Sequence, residues 1–367
     1  MILKLFPPKK NDILFYDKNF SLNIARILKL KTFGVLHTRK EVLNIFILLK
    51  TFLKLKFSFF SYLQEYINYI SPKILITFTD NDKKFYQLTC KSGYKVFIQN
   101  GKRTKMDIFY FLKKNKKYYV DYMFTHNQCI GELYKKFISG TVVPVGSIWS
   151  NEIPINKSSK KNFLYISSFR SGYLSNTERV FQNIFFKNYI KNEIVLLKKI
   201  LKYCKSKKIK LVIMGKYFKS NSISKKEFSF YKKILGSNFI FYKNSEKRNN
   251  FKVLDEFKII IGIESTLVYE AFGRNKKVAF FNVRGSQNSL LKSRSFAWPH
   301  KVPSKGFFWT DKINDSEVSR IFTNLLKTSM INWRARTLLL RKKTMLFDSN
   351  NKKIKSFVYK LLNNPKY

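Results

Sequence analysis

The sequence has few of the residues that build metal sites and disulfide frameworks. It contains only three histidines and three cysteines, and the cysteines lie far apart at Cys90, Cys129 and Cys204. There is no C-x-x-C pair, so neither a structural zinc site nor a disulfide framework is expected. There is also no Ser-His-Asp or Cys-His pattern that would indicate nucleophilic catalysis.

Long uncharged apolar runs are also missing. The apolar stretch at the N-terminus is too short for a signal peptide, and Pro7-Pro8 interrupts it. The most hydrophobic segment, residues 42–63, is broken by Lys50, Lys54 and Lys56 well short of a membrane-spanning length. This pattern predicts an amphipathic pair of helices and a cytoplasmic protein, with adsorption to the inner face of the plasma membrane as a further option.

Acidic residues and arginine are scarce. The 22 Asp and Glu residues face 72 Lys and Arg residues, which gives a formal net charge of +50. Such a charge favours an anionic partner. Only 13 of the basic residues are Arg, the side chain whose planar fork reads guanine edges and phosphates. Nucleic acid is therefore not the expected partner. The alternative to an enzyme is a basic protein that binds nucleic acid or a membrane surface.

What the sequence does contain is an alternation of short β-branched runs with longer helical stretches. This alternation predicts an α/β fold with parallel sheets covered by helices on both faces. Two sets of candidate strands flank a polar linker that contains Pro154, so we expect two Rossmann-like domains facing a cleft, at residues 1–152 and 153–345. Residues 346–367 are expected to form a helix that packs back across the junction. The candidate strands are Asp12–Tyr16, Phe33–Leu36, Ile74–Phe78, Lys95–Ile98, Tyr122–Phe124, Val142–Val145, Phe163–Ser167, Leu211–Met214, Phe239–Phe241, Lys258–Ile263 and Lys277–Phe281.

Polar residues follow several of these strands, where a doubly wound sheet forms its ligand crevice. Ser265 and Thr266 follow one strand in the second half and are expected at a helix N-terminus, which favours a phosphate group. Glu270, one turn further along, is placed to accept hydrogen bonds from a ribose. The simpler alternative is that Ser265 only caps the helix.

Other strand ends in the second half offer backbone N–H groups and cations for phosphate oxygens. These are Ser168 with Arg170 and Gly215 with Lys216, although surface Arg and Lys side chains are often only solvated.

Strand ends in the first half supply the expected acceptor or cleft residues. Asp80 is the candidate base for an acceptor hydroxyl, and the Asp80-Asn81-Asp82 triplet also matches a pattern that holds a metal ion against a diphosphate. The candidates after the next strand are Gln99, Asn100, Gly101 and Arg103, for which a tight turn with a helix cap is the alternative.

Residues 261–281, from Ile-Gly-Ile-Glu-Ser-Thr to Val-Ala-Phe-Phe, resemble the donor-binding segment of GT-B transferases. The resemblance is strongest to the bacterial surface carbohydrate biosynthesis proteins. Further stretches match that family in the same order, namely residues 76–82, 97–104, 145–147, 298–299 and 306–310.

The resemblance implies a metal-independent glycosyltransferase with the acceptor on the N-terminal domain and the nucleotide-activated sugar on the C-terminal domain. It places the donor diphosphate on Ser265 and Thr266 and the ribose on Glu270, and it adds Gln99 as a catalytic residue and Ser147 as a cleft residue. Many GT-B enzymes carry two glutamates separated by seven residues, whereas Glu264 and Glu270 are separated by five, so the role of Glu264 departs from the pattern.

The implied activity is transfer from a nucleotide sugar, with no tightly bound cofactor, to a glycan or lipid-linked acceptor in surface polysaccharide or lipopolysaccharide biosynthesis. Two other reactions on the same fold stay open, namely nucleotide-sugar 2-epimerisation and polyol-phosphate transfer.

Overall fold

The computed structural model describes residues 1–104, 107–108, 118–156, 160–170, 180–244, 249–283, 289–364 and 366. The chain forms two compact units. Unit 1 comprises Met1–Glu152 and Leu346–Tyr367, and unit 2 comprises Ile153–Met345. Within the described ranges each unit holds one six-stranded parallel sheet. The predicted α/β fold with two parallel sheets is therefore confirmed.

Unit 1 has the sheet order β3-β2-β5-β6-β7-β8, and β1 and β4 form a separate parallel pair. Its strands are β1 (Ile2–Lys4), β2 (Ile13–Phe15), β3 (Gly34–Val35), β4 (Val42–Asn44), β5 (Ile74–Thr77), β6 (Tyr94–Ile98), β7 (Tyr118–Thr125) and β8 (Ile138–Pro144). Its helices are α1 (Ser21–Ile27), α2 (Ile45–Leu53), α3 (Phe59–Ile70), α4 (Lys83–Gln87), α5 (Gln128–Lys135), α6 (Ile148–Glu152) and, from the end of the chain, α13 (Lys352–Asn363).

The core of unit 1 is built from strands that are apolar on both faces, as expected when helices cover a parallel sheet on both sides. Every residue of β2 and of β5 is buried. Helix α13 joins this core through Ile354, Val358 and Leu361, and the Phe357 ring lies edge-on to Tyr122 with 4.8 Å between ring centroids. Unit 1 is thus completed by a segment that follows unit 2 in the chain.

Unit 2 has the sheet order β11-β10-β9-β12-β13-β14, which is the 3-2-1-4-5-6 order of a doubly wound dinucleotide-binding sheet. Its strands are β9 (Lys160–Ile166), β10 (Leu211–Phe218), β11 (Ile240–Asn244), β12 (Phe257–Gly262), β13 (Lys277–Phe281) and β14 (Trp309–Thr310). Its helices are α7 (Val180–Ser206), α8 (Ser222–Leu235), α9 (Asn249–Glu256), α10 (Thr266–Gly273), α11 (Asp315–Lys327) and α12 (Met330–Thr344).

A buried ion pair fixes the first residues of unit 2. Arg274 and Asp255 both have fully buried side chains and bind each other directly. Arg274 also donates to the carbonyl oxygens of Ile153 at 2.7 Å and Pro154 at 3.1 Å, and Asp255 accepts the Asn156 N–H at 2.9 Å. Because an uncompensated buried charge is costly, each partner holds the other in place, and together they anchor the linker.

The hydrophobic segment 42–63, expected to form a pair of helices, contains β4, α2 and the start of α3. Helix α13 lies within residues 346–367, where a helix is also expected. Among the helices that the structure describes, none has the length and apolar character needed to cross a membrane.

Candidate functional site

The strand order of the unit 2 sheet reverses between β9 and β12. This reversal is the position at which doubly wound sheets bind their ligands. Ser168 and Arg170 follow β9, and Glu264 follows β12. Arg170 Nη2 lies 3.4 Å from Glu264 Oε1, so the two strand ends meet through their side chains. Ser168 is 9 % exposed.

Helix α10 starts at this same edge. Ser265 is its N-cap, and the Ser265 Oγ accepts the Leu267 N–H at 3.3 Å, which confirms the helix start expected from the sequence. Thr266 is the first helical residue and is half-buried. Glu270 lies one turn further and is 7 % exposed. The first turn of α10 therefore presents its N–H groups, and the positive end of its dipole, at the strand ends.

Gly262 allows α10 to approach β12 closely. A Cβ atom at this position would lie 2.2 Å from Val268 Cγ2, well inside van der Waals contact. A residue without a side chain at the end of β12 is therefore needed to set α10 against the sheet.

A second arginine reaches Glu264 from a distant part of the chain. Arg294 Nη1 lies 3.0 Å from each carboxylate oxygen of Glu264. Arg294 ends a short 3-10 helix, Ser289–Arg294, rather than following a strand, so the search of strand ends missed it. Glu264 is the group that holds two guanidinium groups at this edge, a role that the sequence did not predict.

Gly215 and Lys216 do not follow β10 as predicted, because the strand continues to Phe218 and includes both. The Lys216 and Tyr217 N–H groups point to the buried carboxylate of Glu227 on α8, at 2.8 and 3.2 Å. A Cβ on Gly215 would lie 3.3 Å from Glu227 Oε2. These two N–H groups are therefore bound to Glu227, and the Lys216 side chain is exposed.

Glu227 belongs to a buried polar network that the sequence analysis did not predict. Ser167 donates its hydroxyl to Glu227 and lies 2.9 Å from the Tyr231 hydroxyl. Tyr231 and Tyr165 both donate to Glu193 Oε1, at 3.3 and 2.7 Å. Burial raises the pKa of Glu227 above its ordinary value, although the N–H and hydroxyl donors around it oppose that shift. The network holds the start of the β9 loop, immediately before Ser168, in one position.

In unit 1 the predicted residues gather around the carboxylate of Asp80, which is 1 % exposed. Arg103 binds both of its oxygens, with Nε 2.9 Å from Oδ2. Tyr134 donates its hydroxyl to Oδ2 at 2.5 Å, and the Asn100 N–H lies 3.3 Å from Oδ1. Burial acts to lower the pKa of Arg103, but the ion pair with Asp80 outweighs it and raises that pKa. Arg103 thus stays charged, and Asp80 is fully engaged.

Gln99 connects the ends of β6 and β7. Its Oε1 accepts the His126 N–H at 2.9 Å, and its Nε2 donates to the Gly101 carbonyl at 2.8 Å. Ser147 is buried at 2 % exposure just before α6, where its Oγ lies 3.5 Å from the Ser150 N–H. The catalytic roles of Asp80 and Gln99 stay predictions, and the geometry favours positioning over proton transfer for both.

The second aspartate of the Asp-x-Asp triplet has other partners. Asp82 caps α4 by accepting the Lys84 N–H at 3.0 Å, and it accepts the Tyr16 hydroxyl at 2.9 Å. Across the described part of the chain, no group of three or more His, Cys, Asp or Glu side chains is placed to hold a metal ion. The two carboxylates of the triplet therefore serve different hydrogen-bond networks.

This architecture is the GT-B-like fold. The chain is similar in structure to a protein from Listeria monocytogenes described as a putative UDP-N-acetylglucosamine 2-epimerase, with 12 % identity, 97 % of each chain covered and a TM-score of 0.52. The chain is also similar to S. aureus MnaA in a co-structure with UDP, with 14 % identity, 99 % of this chain and 97 % of that chain covered and a TM-score of 0.49. It is likewise similar to a glycosyltransferase from Rickettsia africae, with 12 % identity, 97 % of this chain and 100 % of that chain covered and a TM-score of 0.48.

The chain belongs to a family described as putative O-antigen biosynthesis protein, whose model matches residues 96–362. The match extends from β6 in unit 1 through all of unit 2 to α13. No curated protein sequence matches the chain.

Proposed function

We propose that the protein binds a nucleotide-activated sugar at the carboxyl edge of the unit 2 sheet and transfers the sugar to an acceptor hydroxyl during O-antigen biosynthesis. The observation that carries this proposal is the arrangement around α10. The capped N-terminus of the helix lies where the strand order of the sheet reverses, next to Arg170 and Arg294. Glu264 binds both of these arginines.

The chemistry of this edge suits a diphosphate. The N–H groups and the dipole at a helix N-terminus stabilise phosphate oxygens, and guanidinium groups bind them in a bidentate manner. Arg170 is 44 % exposed and makes a long contact of 3.4 Å with Glu264, so it can turn to an incoming anion. Ser265 and Thr266 would then bind the diphosphate, and Glu270 the ribose hydroxyls.

Transfer requires stabilisation of the leaving diphosphate more than it requires a reactive side chain. The acceptor oxygen forms a bond to the sugar carbon, the bond to the diphosphate oxygen breaks, and the hydroxyl proton passes to solvent water. Charge builds up on the leaving diphosphate, where preorganised cations and N–H groups are most effective. We assign this role to Arg170, Arg294 and α10, with no metal ion.

We assign unit 1 to the acceptor, which would be a glycan or a lipid-linked glycan at the inner face of the plasma membrane. The exposed Asn100 and the half-buried Gly101 would contact it, while Asp80, Gln99 and Arg103 hold their loop in shape. Ser147 would support the neighbouring strand end.

Two variants test the donor site by calorimetric titration with UDP, GDP, dTDP and CDP. Ser265→Asp keeps a good N-cap but adds a negative charge where the phosphate would lie, so binding should fall at least about tenfold without loss of stability. Arg170→Ala should weaken binding about tenfold, because a charge-assisted hydrogen bond contributes on the order of 1.5 kcal/mol or more.

Matched controls lie on α12. Ser329 caps that helix by accepting the Asn332 N–H at 3.1 Å, so Ser329→Asp repeats the first change away from the site, and Arg334→Ala repeats the second at an exposed position. Both controls should bind as the unaltered protein does. If none of the nucleotides binds, or if the site and control variants weaken binding equally, the proposal is wrong.

Product analysis separates transfer from epimerisation, the alternative reaction on this fold. A transferase releases nucleoside diphosphate only when an acceptor is present. An epimerase converts the nucleotide sugar to its isomer with no acceptor at all, and this result would replace transfer in the proposal while keeping the donor site.

A further inference from the structure

Unit 1 exposes large apolar side chains at two stretches of its surface. Among the most exposed are Phe6 (84 %), Leu53 (84 %), Leu55 (79 %) and Phe57 (73 %). The others at these stretches are Met1, Ile2, Leu3, Leu5, Leu49, Phe52 and Phe60. Single exposed apolar residues are ordinary, but a concentration of this kind marks a binding surface.

The fold brings the two stretches together. Strand β1 pairs with β4 in the register Ile2↔Val42 and Leu3↔Leu43, and β4 leads directly into α2. The Asn44 Nδ2 donates to the Phe6 carbonyl at 2.8 Å, which fixes the chain just after β1. Residues 1–10 and 45–60 therefore form one surface, named here the lysine-rich apolar face.

The end of α2 presents its apolar residues at a conformational cost. Leu55 has φ 54°, in the left-handed region that glycine usually occupies at this position. The Leu55 N–H binds the Phe52 carbonyl at 2.8 Å and the Lys56 N–H binds the Thr51 carbonyl at 3.2 Å, which is the Schellman hydrogen-bond pattern. A bulky exposed leucine in this strained position contributes nothing to the core, and such strain is typical of functional sites.

Charge of one sign accompanies the apolar residues. Residues 1–10 and 45–60 contain no Asp or Glu, and their lysines are Lys4, Lys9, Lys10, Lys50, Lys54 and Lys56. All but Lys50 are exposed, and Lys54 pairs with Glu65 at 2.7 Å from α3. Lysine side chains can lie along an apolar surface while their ammonium groups reach a polar boundary.

We infer that the lysine-rich apolar face binds the surface of an anionic lipid bilayer. Side chains that are about four-fifths exposed can enter the boundary between acyl chains and headgroups, while the lysines bind the headgroup phosphates. Lipid fits better than a protein partner because residues 1–10 and 45–60 carry lysines and no acidic residue, which complements a uniformly anionic surface. This inference does not depend on nucleotide binding, since all of its residues lie outside the proposed donor site.

Vesicle sedimentation tests the inference, using phosphatidylcholine vesicles with and without one quarter phosphatidylglycerol. The full chain should bind the anionic vesicles and retain part of that binding in 0.5 M NaCl, where surface charges are strongly screened. The variant Leu53→Ser/Leu55→Gly/Phe57→Ser should lose about tenfold or more of the salt-resistant binding.

The single variant Leu55→Gly distinguishes a loss of vesicle binding from a loss of folding. It relieves the left-handed strain, so thermal stability should stay the same or rise while vesicle binding falls. The matched control is Leu339→Ser, at a 70 % exposed leucine on α12, which should bind vesicles as the unaltered chain does.

Two outcomes would overturn the inference. One is equal salt-resistant binding by the triple variant and the control. The other is self-association of the chain that the triple variant abolishes, together with no vesicle binding, which would assign the face to a second copy of this chain.

Discussion

His126 lies at the end of β7 with its ring fully buried, and burial lowers its pKa from 6.5 to about 4. Arg103 lowers that pKa further, while Asp80 and a hydrogen bond between the His126 ring and the Gln99 backbone oppose the shift. Between pH 4 and pH 6.5 the unfolded chain binds a proton at this residue and the folded chain does not. The free energy of unfolding therefore decreases as pH falls through this range.

We expect His126→Asn to reduce the pH dependence of the stability of unit 1. Its free energy of unfolding should change less between pH 7 and pH 4.5, by about 2 to 3 kcal/mol compared with the unaltered protein. Hydrogen exchange of unit 1 peptides in urea, followed by mass spectrometry, measures this quantity. His300→Asn in unit 2 should leave the pH dependence of unit 1 unchanged, and an equal pH dependence in the His126 variant would contradict the prediction.

Residues of the candidate site were predictable only where they follow a predicted strand along the chain. Ser265 and Arg170 directly follow strands, so the general position of ligand sites in parallel sheets points to them. Arg294 and Glu227 reach the same edge from a 3-10 helix and from α8, and nothing local in the sequence encodes those contacts. Asp80 was predictable as a strand-end residue, but its ion pair with Arg103 depends on tertiary structure.

At the scale of single elements, the contact between β12 and α10 leaves no room for a side chain at Gly262. We expect Gly262→Ala to destabilise unit 2 by about 1 to 3 kcal/mol, because the added Cβ overlaps Val268 Cγ2. Thermal unfolding measures the effect and calorimetry measures nucleotide affinity, which should fall as α10 shifts.

A double-mutant cycle checks the cause of that destabilisation. Val268→Ala removes the overlapping methyl group, so the double variant should be less destabilised than the sum of the two single variants. Strictly additive losses would mean that the overlap is not the cause.

Strands with strong β-branched and aromatic character were predictable to within a few residues. The expected strands Ile74–Phe78 and Lys277–Phe281 correspond closely to β5 and β13. The prediction ended β10 too early because Gly215 reads as a turn residue, whereas here it makes room for the Phe241 ring, whose Cζ would lie 2.8 Å from an added Cβ. Strands β1, β4 and β14 were missed because two or three residues carry too little periodicity, and only pairing with a neighbour defines them.

For the whole molecule, the alternation of strands and helices along the chain was enough to predict the fold class, since parallel strands require crossover connections. Strand order within each sheet was not predicted, because it depends on which strands pair rather than on their composition. The return of α13 to unit 1 depends on contacts between distant segments. Asn151 fixes that return by donating to Asn351 Oδ1 at 3.1 Å and accepting the Asp348 N–H at 2.9 Å.

We expect Ile354→Ala on α13 to destabilise unit 1 by about 2 to 4 kcal/mol, since it leaves a cavity in a core to which residues 13–28 also contribute. Hydrogen exchange should show faster opening of unit 1 peptides and little change in unit 2. Ser356→Ala, at an exposed position on the same helix, should change stability by less than about 0.5 kcal/mol. Equal effects on both units would contradict the assignment of α13 to the core of unit 1.

The discontinuity of unit 1 has a consequence for the newborn chain. Unit 2 is continuous in sequence, so its sheet can close while the ribosome is still extending the polypeptide. Residues 1–152 leave the ribosome before unit 2, yet their core lacks Ile354, Val358 and Leu361 until translation has passed through α13. Unit 1 is therefore begun before unit 2 and completed after it, and until then its apolar strands are within reach of chaperones.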